Sequence, residues 1–526
     1  VKFLRWGQWR IDQTGQGVLA FITNHGYLDN PTFRGMRQNL MRTFDEIYIL
    51  DLHGNSKKLE TVPETGALDK NVFDIRQGLA IGIFVKLPLD SKRKKTAPTV
   101  RHLDLWGAQR QTKYDWLDNH HLENTDWNSL EPTAPHYLFI PQDTKRLKEY
   151  ERGWKVTDMM PLHGWGIATR KDYLLVDFEE RALVKKFRTI LSLPAEQAME
   201  RFGIKKAPHW DFAKAKNQLS LDPSSSVKPV LFRPFDVRYI YYEKAMIERG
   251  DHRYDLMRHM FDSNLALITV RRIEGGGEFT HFFATNRISV LHSTSAKEGN
   301  FVFPVYLYPN GKMPEGDLFA HDNGRRPNLS AAFIQDFCET LQVEFVPDGL
   351  GRPGKRQVGP ELIFHYAYAV FHSPTYRERY AQFLRADFSR LPLTGNWELF
   401  RTLAEFGLRL VNLHARSEGE GKGPSFPIAG ENLVADVRFQ PPQAKEQGRV
   451  WINNRQCFDG VSEAVWSFPV GGYVPAQRWL KDRKGRKLTY EDISAYARIV
   501  FALAETRTLM TRIDESIEEH GGWPIK

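Results

Sequence analysis

The chain has 526 residues, 41% of them hydrophobic and 26% charged, enough for roughly two to four domains that each bury a core. That composition excludes a disordered or fibrous protein, no apolar run is long enough to span a bilayer, and the start lacks a secretory pattern. A net charge of +9 with a pI near 9.2 suits a polyanionic partner without requiring one, and the distant Cys338 and Cys457 fit a reducing, cytoplasmic setting rather than a metal site.

Val1–Gly15 carries Phe3, Leu4, Trp6, Trp9 and Ile11, too apolar for a free tail, and reads as the end of a helix packed on a sheet. Val18–Thr23 is an unbroken apolar run, the pattern of a strand covered on both faces. Pro31 opens a helix with Phe33, Met36, Leu40 and Phe44 on one side and Arg34, Arg37 and Arg42 on the other. Ile47–Leu52 and Leu79–Val85 are two further buried strands. Strand, helix, strand in roughly 35 residues fits a crossover of a parallel sheet. Ligands of such sheets bind beyond the carboxyl ends of the strands, where Thr23-Asn24-His25 and His53-Gly54-Asn55 stand. Ser56–Lys70 is a polar loop. Ser91-Lys92-Arg93-Lys94-Lys95 is a basic turn between Leu79–Val85 and the strand-like Thr99–Leu105, which suggests an edge hairpin with a solvated tip.

Trp106–Pro161 is irregular. Its Asp118-Asn119-His120-His121 string offers no third ligand at helical spacing, so no metal is expected there. Arg181–Ile190 and Pro194–Phe202 read as helices, and Ser224-Ser225-Ser226 as a loop. From Val230 to Leu350 short β-branched or aromatic runs alternate with turns: Val230–Phe232, Tyr239–Tyr242, Leu265–Val270, His281–Phe283, Ile288–Leu291 and Phe301–Tyr308. Helices follow at Asn328–Leu341, Glu361–Phe371 and Pro374–Leu384, with another ending over Leu408–His414. After the flexible Arg416–Pro424, a small closing unit has strands near Val450–Asn453 and Glu463–Phe468. A last helix, capped by Thr489, runs from Tyr490 to about Glu519.

Several long strings give these elements a family likeness. ITNHGYLDNPTFRGMRQNLMRTFDEIYILDLHGN and NVFDIRQGLAIGIFVK resemble the later motifs of adenine-N6 DNA methyltransferases, and most closely the methyltransferase and specificity regions of type ISP restriction–modification enzymes. LFRPFDVRYIYYEKAMIERGDHRYDLM, AYAVFHSPTYRERYAQFLRADFSRLPLT and LTYEDISAYARIVFALAETRTLMTRID extend the likeness nearly to the last residue. The resemblance implies α/β plus α+β architecture: the second half of a Rossmann-like methyltransferase sheet over residues 1–106, a mixed target recognition domain over 107–350, and a helical C-terminal part with a small closing unit over 351–526. It implies a prokaryotic site-specific enzyme that flips adenine out of duplex DNA and methylates it from S-adenosylmethionine. The family's cofactor loop and its Asn/Asp-Pro-Pro-Tyr/Phe motif do not occur in this sequence. The expectation is therefore a carboxyl-terminal part, inactive alone, whose catalytic residues and main S-adenosylmethionine site lie in upstream segments of the same enzyme, with room there for a nuclease or translocase. The alternative is a DNA-specificity module that performs no chemistry.

In such enzymes an aromatic residue just before the strand matching Leu79–Val85 stacks on the extruded base, and Phe73 of Asn71-Val72-Phe73-Asp74 is the match. Asn24, His25 and Tyr27 stand at the expected ligand edge, although Asn24 also suits local turn capping. Arg233, Asp236 and Arg238 surround Pro234 between two strands. They fit either base reading by a bidentate Arg or a structural Arg–Asp pair. Arg249, His252, Arg253, Arg258, Arg271 and Arg272, interleaved with Tyr254 and Phe261, form the densest basic region and suit phosphate contacts or a solvated face. Gly275-Gly276-Gly277 is a flexible tip, not a nucleotide loop, and His292 and Lys297 border the same candidate groove.

Overall fold

The structure is a computed structural model that describes residues 2–56, 60–88, 97–134, 136–273, 278–309, 324–416, 423–442 and 448–525. The basic turn Ser91–Lys95, Gly275–Gly277 and most of Arg416–Pro424 lie outside the described residues. Two compact units divide the chain: residues 1–148 with 273–277, and 149–272 with 278–526.

The first unit is built on one five-stranded sheet. Helix α1 (Lys2–Thr14) leads into β1 (Gly17–Asn24), helix α2 (Arg34–Thr43), β2 (Glu46–His53), β3 (Leu79–Lys86), β4 (Thr99–Asp104), helix α3 (Arg110–Asn119) and β5 (Asn128–Leu130), with strand order β1-β3-β2-β4-β5. β1 and β2 run in the same sense, as a crossover through α2 requires, but they are not neighbours. β3 lies between them, antiparallel to both. The expected hairpin of β3 with β4 does not form: β4 pairs in parallel with β2 from Glu46↔Thr99 to Asp51↔Asp104, and β5 pairs antiparallel on its other side.

β1 is not covered on both faces. Its residues alternate in exposure, with Val18 63% and Ile22 42% exposed, as an edge strand with one packed face requires. On that packed face Leu4 and Ile11 of α1 join Leu40, Phe44, Ile47, Ile49 and Phe84 in one core. Leu50, Leu52, Val72, Leu79 and Leu105 form a second core with Tyr114, Trp116 and Leu117 of α3. That packing carries the first unit past residue 106, because α3 and β5 belong to the same sheet layers.

Arg37 lies opposite the apolar side of α2, yet it does not face solvent. It is fully buried, with Nη1 donating to the carbonyls of Tyr27 (2.7 Å) and Asn30 (2.9 Å), Nη2 to that of His136 (2.6 Å), and Nε to those of His136 and Tyr137. A guanidinium has donors enough to satisfy several loop carbonyls that the fold takes out of water. Burial lowers its pKa to about 10.

In the second unit, β6 (Val227–Arg233) and β7 (Asp236–Tyr241) form a hairpin flanked by Val176–Asp177 and Ile288–Ser289. Pro234 and Phe235 make the turn. Phe235 takes a left-handed φ of 64° and packs edge-on against Phe283 and His414, contacts that hold the strained backbone. A second sheet sets β8 (Ala266–Val270) between β9 (Phe282–Thr285) and β10 (Asn300–Pro304). Helix α4 (Glu180–Ser192) turns Leu183, Phe187 and Ile190 inward, Phe187 stacking on Tyr241 at 3.5 Å.

Helices α5 (Pro360–His372), α6 (Trp397–Val411) and α7 (Tyr490–Glu519) follow. α5 is buried along nearly its whole length, which explains its lack of a polar stripe. α7 starts where expected: the Thr489 hydroxyl accepts from Asp492 N while the Asp492 carboxylate accepts from Thr489 N. Glu463–Trp466 is a helical turn and not a strand, because the Ser462 hydroxyl caps it at Val465 N. No division falls at residue 350, since one core joins Tyr241, Ile268 and Val302 to Val434, Trp479 and Tyr496.

Candidate nucleic-acid interface

Beyond the end of β2 the chain turns at Gly54 with φ of 80°. A Cβ there would stand 2.4 Å from Asn71 Cα, so only glycine allows this approach. Asn71 uses it. Its amide donates to the carbonyls of Gly54 (3.0 Å) and Gln77 (2.7 Å), and its side-chain oxygen accepts from Phe73 N (2.9 Å). Phe73 is thereby presented 48% exposed at a cleft of about 730 Å³, beside Leu68 and Ile75, with Glu60, Arg76 and Arg110 supplying polar edges. Arg110 Nε donates to Asn71 O at 3.1 Å and its Nη2 pairs with Asp74 at 2.5 Å.

The loop is anchored from below by a pair that the sequence did not single out. Lys113 of α3 and Asp69 are both without side-chain solvent exposure and pair at 2.7 Å. Lys113 Nζ also donates to the carbonyls of Leu52 and Lys70, and Asp69 accepts from Gly107 N. Every donor of the ammonium is satisfied, the condition under which a buried pair is tolerated. Burial lowers the Lys113 pKa, opposed by the Asp69 carboxylate.

At the strand ends His25 Nδ1 donates to Asp51 Oδ1 at 3.0 Å, and His53 Nε2 donates to Asp104 Oδ1 at 2.8 Å. Burial pushes the Asp51 carboxyl up, but the bond from His25 and the neighbouring imidazoles outweigh it and hold it below the usual range. His53, at φ of 49°, stacks on Trp106 with centroids 3.4 Å apart. Donor atoms of His25, His53 and Glu60, and of Asp51, His53 and Asp104, lie within 4.8 Å of one another. In the Asp118–His121 string, His120 stacks on Trp116 at 4.0 Å and donates to its carbonyl.

The other residues expected at this edge separate. Asn24 is exposed, and its side chain caps the following turn at Gly26 N (2.7 Å). Tyr27 is a correction: it is 3% exposed and belongs to the hydrophobic core, with burial raising its pKa. A core hydroxyl cannot contact a base.

In the second unit Arg233, Asp236 and Arg238 form an internal network, the structural one of the two readings, rather than a DNA contact. Asp236 is 2% exposed. One of its oxygens accepts from Arg238 (2.8 Å) and the other from Arg483 (3.0 Å), while Asp482 accepts from both Arg233 and Arg238 at 2.9 Å. The Arg238 guanidinium is also stacked on Phe232 and Phe178. These partners lie some 245 residues away in sequence, beyond the reach of any local pattern. His252 is likewise buried and cannot serve as a surface contact. Arg253 pairs with Asp251 at 2.9 Å. Arg271 pairs with Asp387 at 3.0 Å yet keeps half its side chain exposed, and Arg272 is partly buried. Arg249, His292 and Lys297 lie exposed at the surface.

The chain can be set beside known proteins at this point. The Type ISP C-terminal specificity domain matches residues 158–512. Among solved structures it is similar to the DrdV–DNA complex (22% identity, TM-score 0.66, 97% of this chain and 51% of that one). It is also similar to the ATP-dependent Type ISP restriction–modification enzyme LlaBIII bound to DNA (18% identity, TM-score 0.67, 97% and 33%). A third similar structure is a nuclease-deletion mutant of the Type ISP enzyme LlaGI with a DNA substrate mimic (18% identity, TM-score 0.62, 97% and 40%). No curated protein sequence matches. The chain spans about a third to a half of the length of these solved chains. With two thirds of its length inside that domain, the chain belongs to the Type ISP C-terminal specificity domain family.

Proposed function

We propose that the chain is the target-recognising end of a larger Type ISP restriction–modification enzyme, and that its first unit supplies the base-stacking side of an adenine-N6 methyltransferase site. One observation carries the second half of this reading. Phe73 stands half exposed at the carboxyl ends of the sheet strands, held by Asn71 over a cleft of about 730 Å³. An extruded purine needs a flat apolar surface of this kind, and a Phe serving only the core would be covered. Duplex DNA is the partner. The solved chains of the same fold are DNA complexes, and the net charge of +9 suits a polyanion.

S-adenosylmethionine does not fit the strand end described here. The turn after β1 is closed by the Asn24 cap, and His25 lies so close to Gly78 that a Cβ there would stand 2.4 Å from its ring. We assign the cofactor to upstream strands of the same enzyme. The edge strand β1 and the exposed Phe3, Trp6 and Trp9 of α1 (73%, 66% and 47%) are the surface on which such strands would pack. A non-catalytic specificity module is the second reading, favoured by the family match lying at 158–512, outside the Phe73 cleft.

Binding to duplex DNA across a salt series tests the partner. The wild type should show a steep salt slope. Arg271→Ala/Arg272→Ala should flatten it by roughly one unit for each phosphate left without its arginine. Absence of binding at low salt would sink the DNA reading. Phe73→Ala in the enzyme that includes the upstream strands tests the chemistry: transfer of a labelled methyl group to adenine should fall by about a hundredfold or more. Unchanged transfer would leave only the specificity module.

A further inference from the structure

The second unit carries a column of three stacked rings that opens to solvent. Tyr242 and His252 are both 7% exposed and lie 3.9 Å apart at 19°. Tyr254 continues the column, parallel to His252 within 3° at 5.8 Å, and is 48% exposed. Phe261, 42% exposed, stands 6.0 Å from Tyr254 and packs edge-on against Tyr242. The Tyr242 hydroxyl donates to His252 O at 2.7 Å, and neither ring nitrogen of the buried His252 has a hydrogen-bond partner among the described residues. The imidazole therefore serves here as a flat ring rather than a hydrogen-bonding group, in place of the solvated histidine its polarity would favour.

The turn that delivers Tyr254 is built rather than slack. Arg249, Gly250 and Arg253 all take left-handed φ (57°, 73° and 54°), a cost of about 1 kcal/mol or more for each non-glycine residue. Asp251 holds them by pairing with Arg253 and with Arg170. Cations stand around the column: Arg253 lies over the ring of the exposed Trp165, and Lys228 Nζ is 5.9 Å from the centre of Phe261. Asp255 and Asp262, both exposed, adjoin the two outer rings. A phosphate directly on Tyr254 would meet those carboxylates, whereas a neutral flat ring would not.

We propose that this surface receives an unpaired nucleobase of DNA, stacked on Tyr254 as the fourth ring of the column, with the flanking phosphates directed to Arg249, Arg253 and Lys228. The inference rests on the DNA-binding reading above and adds that this part of the chain takes a base out of the helical stack. An aromatic face accepts any base, so the site holds a strand without reading its sequence.

The test uses the 526-residue chain and two probes: a single-stranded oligonucleotide carrying 2-aminopurine, and the fully paired duplex of the same sequence. The wild type should bind the single strand and change the 2-aminopurine fluorescence. Tyr254→Ala should weaken single-strand binding about tenfold and abolish that change, while duplex affinity stays within about twofold. Tyr254→Leu, which keeps apolar bulk but no ring, should behave as the alanine variant, and Tyr254→Trp should behave as the wild type. If both ring-less variants bind the single strand like the wild type while duplex binding persists, the stacking site is overturned and the DNA reading stands. If neither probe binds the wild type, both fall.

Discussion

The two units treat most of their buried histidines differently, His102 of the first unit being the exception with ring nitrogens unbonded among the described residues. In the first, His25 and His53 each donate to a carboxylate, Asp51 and Asp104, and the buried ammonium of Lys113 has its own carboxylate in Asp69. In the second, His365 is 1% exposed with neither ring nitrogen bonded among the described residues. His372 donates only to the Tyr368 carbonyl. His414 accepts from the Tyr368 hydroxyl at 2.6 Å and donates to Thr506 at 2.8 Å. Burial drives His281 and His365 down to about 4 and His414 to about 3, with Arg377 adding repulsion at His281 and His414. His25 and His53 are thus tied to carboxylates, whereas the imidazoles of the second unit, like His102 of the first, are pushed by burial toward the neutral form. The difference predicts where acid acts.

The largest effect follows directly. A histidine whose folded pKa lies below its unfolded value takes up its proton on unfolding, so its stabilisation is complete above about 6.5 and is lost as pH falls toward the folded value. For His281, His365 and His414 that window runs from about 6.5 down to about 4 or 3. At pH 5 each should have given up on the order of 2 kcal/mol. Urea midpoints followed by tryptophan fluorescence should drop steeply between pH 7 and 5. The carboxylate-paired groups act lower: Asp51, held below its usual 3.8, contributes stability above that range and loses it only as pH falls further. A flat midpoint from pH 7 to 5 would break the contrast.

The next effect probes the paired side. Lys113→Met leaves Asp69 buried without its counter-charge, and breaking such a pair costs about 3–5 kcal/mol. Because the pair pins the loop leading to Phe73, the variant should also quicken amide hydrogen exchange over Asp69–Asp74. A loss under about 1 kcal/mol would mean that the pair is dispensable.

The smallest effect sharpens the neutral side. His365→Phe removes two unsatisfied ring nitrogens from the core beside Gly407, where a Cβ would stand 1.8 Å from His365 O. At pH 7 the larger ring should cost about 1–3 kcal/mol by overpacking, offset in part by the loss of the unsatisfied nitrogens. The drop from pH 7 to 5 should shrink by one histidine's share. An unchanged pH dependence would show that His365 is not among the titrating groups.

How far the sequence is legible depends on how local each cause is. Thr489 and Asp492 are three residues apart and mark the start of α7 without help from the fold. The short strands of the 230–308 region are legible from β-branched and aromatic runs between turns, and the six runs appear as β6 to β10 and the strand Ile288–Ser289. Phe73 stands out through its family string, and its exposure is what keeps it a candidate. Arg37 defies its local pattern, because a basic residue opposite an apolar stripe ordinarily faces water; here the loops of Tyr27, Asn30 and His136 close over it. Tyr27 sits two residues from His25, yet one enters the core and the other faces Asp51.

What the sequence determined by itself was many of the helices and strands, though not those of 106–161 or the turn at Glu463–Trp466, the cap at Thr489, and the family that their order resembles, since these follow from contacts within a few residues and from long shared strings. Only the tertiary structure decided strand order, which put β3 between β1 and β2 and β4 beside β2. It also decided which charges are internal: Asp69 found Lys113 across 44 residues, and Asp236 found Arg483 across 247. A charge enters the interior only where a distant partner meets it, and no spacing along the chain records that meeting.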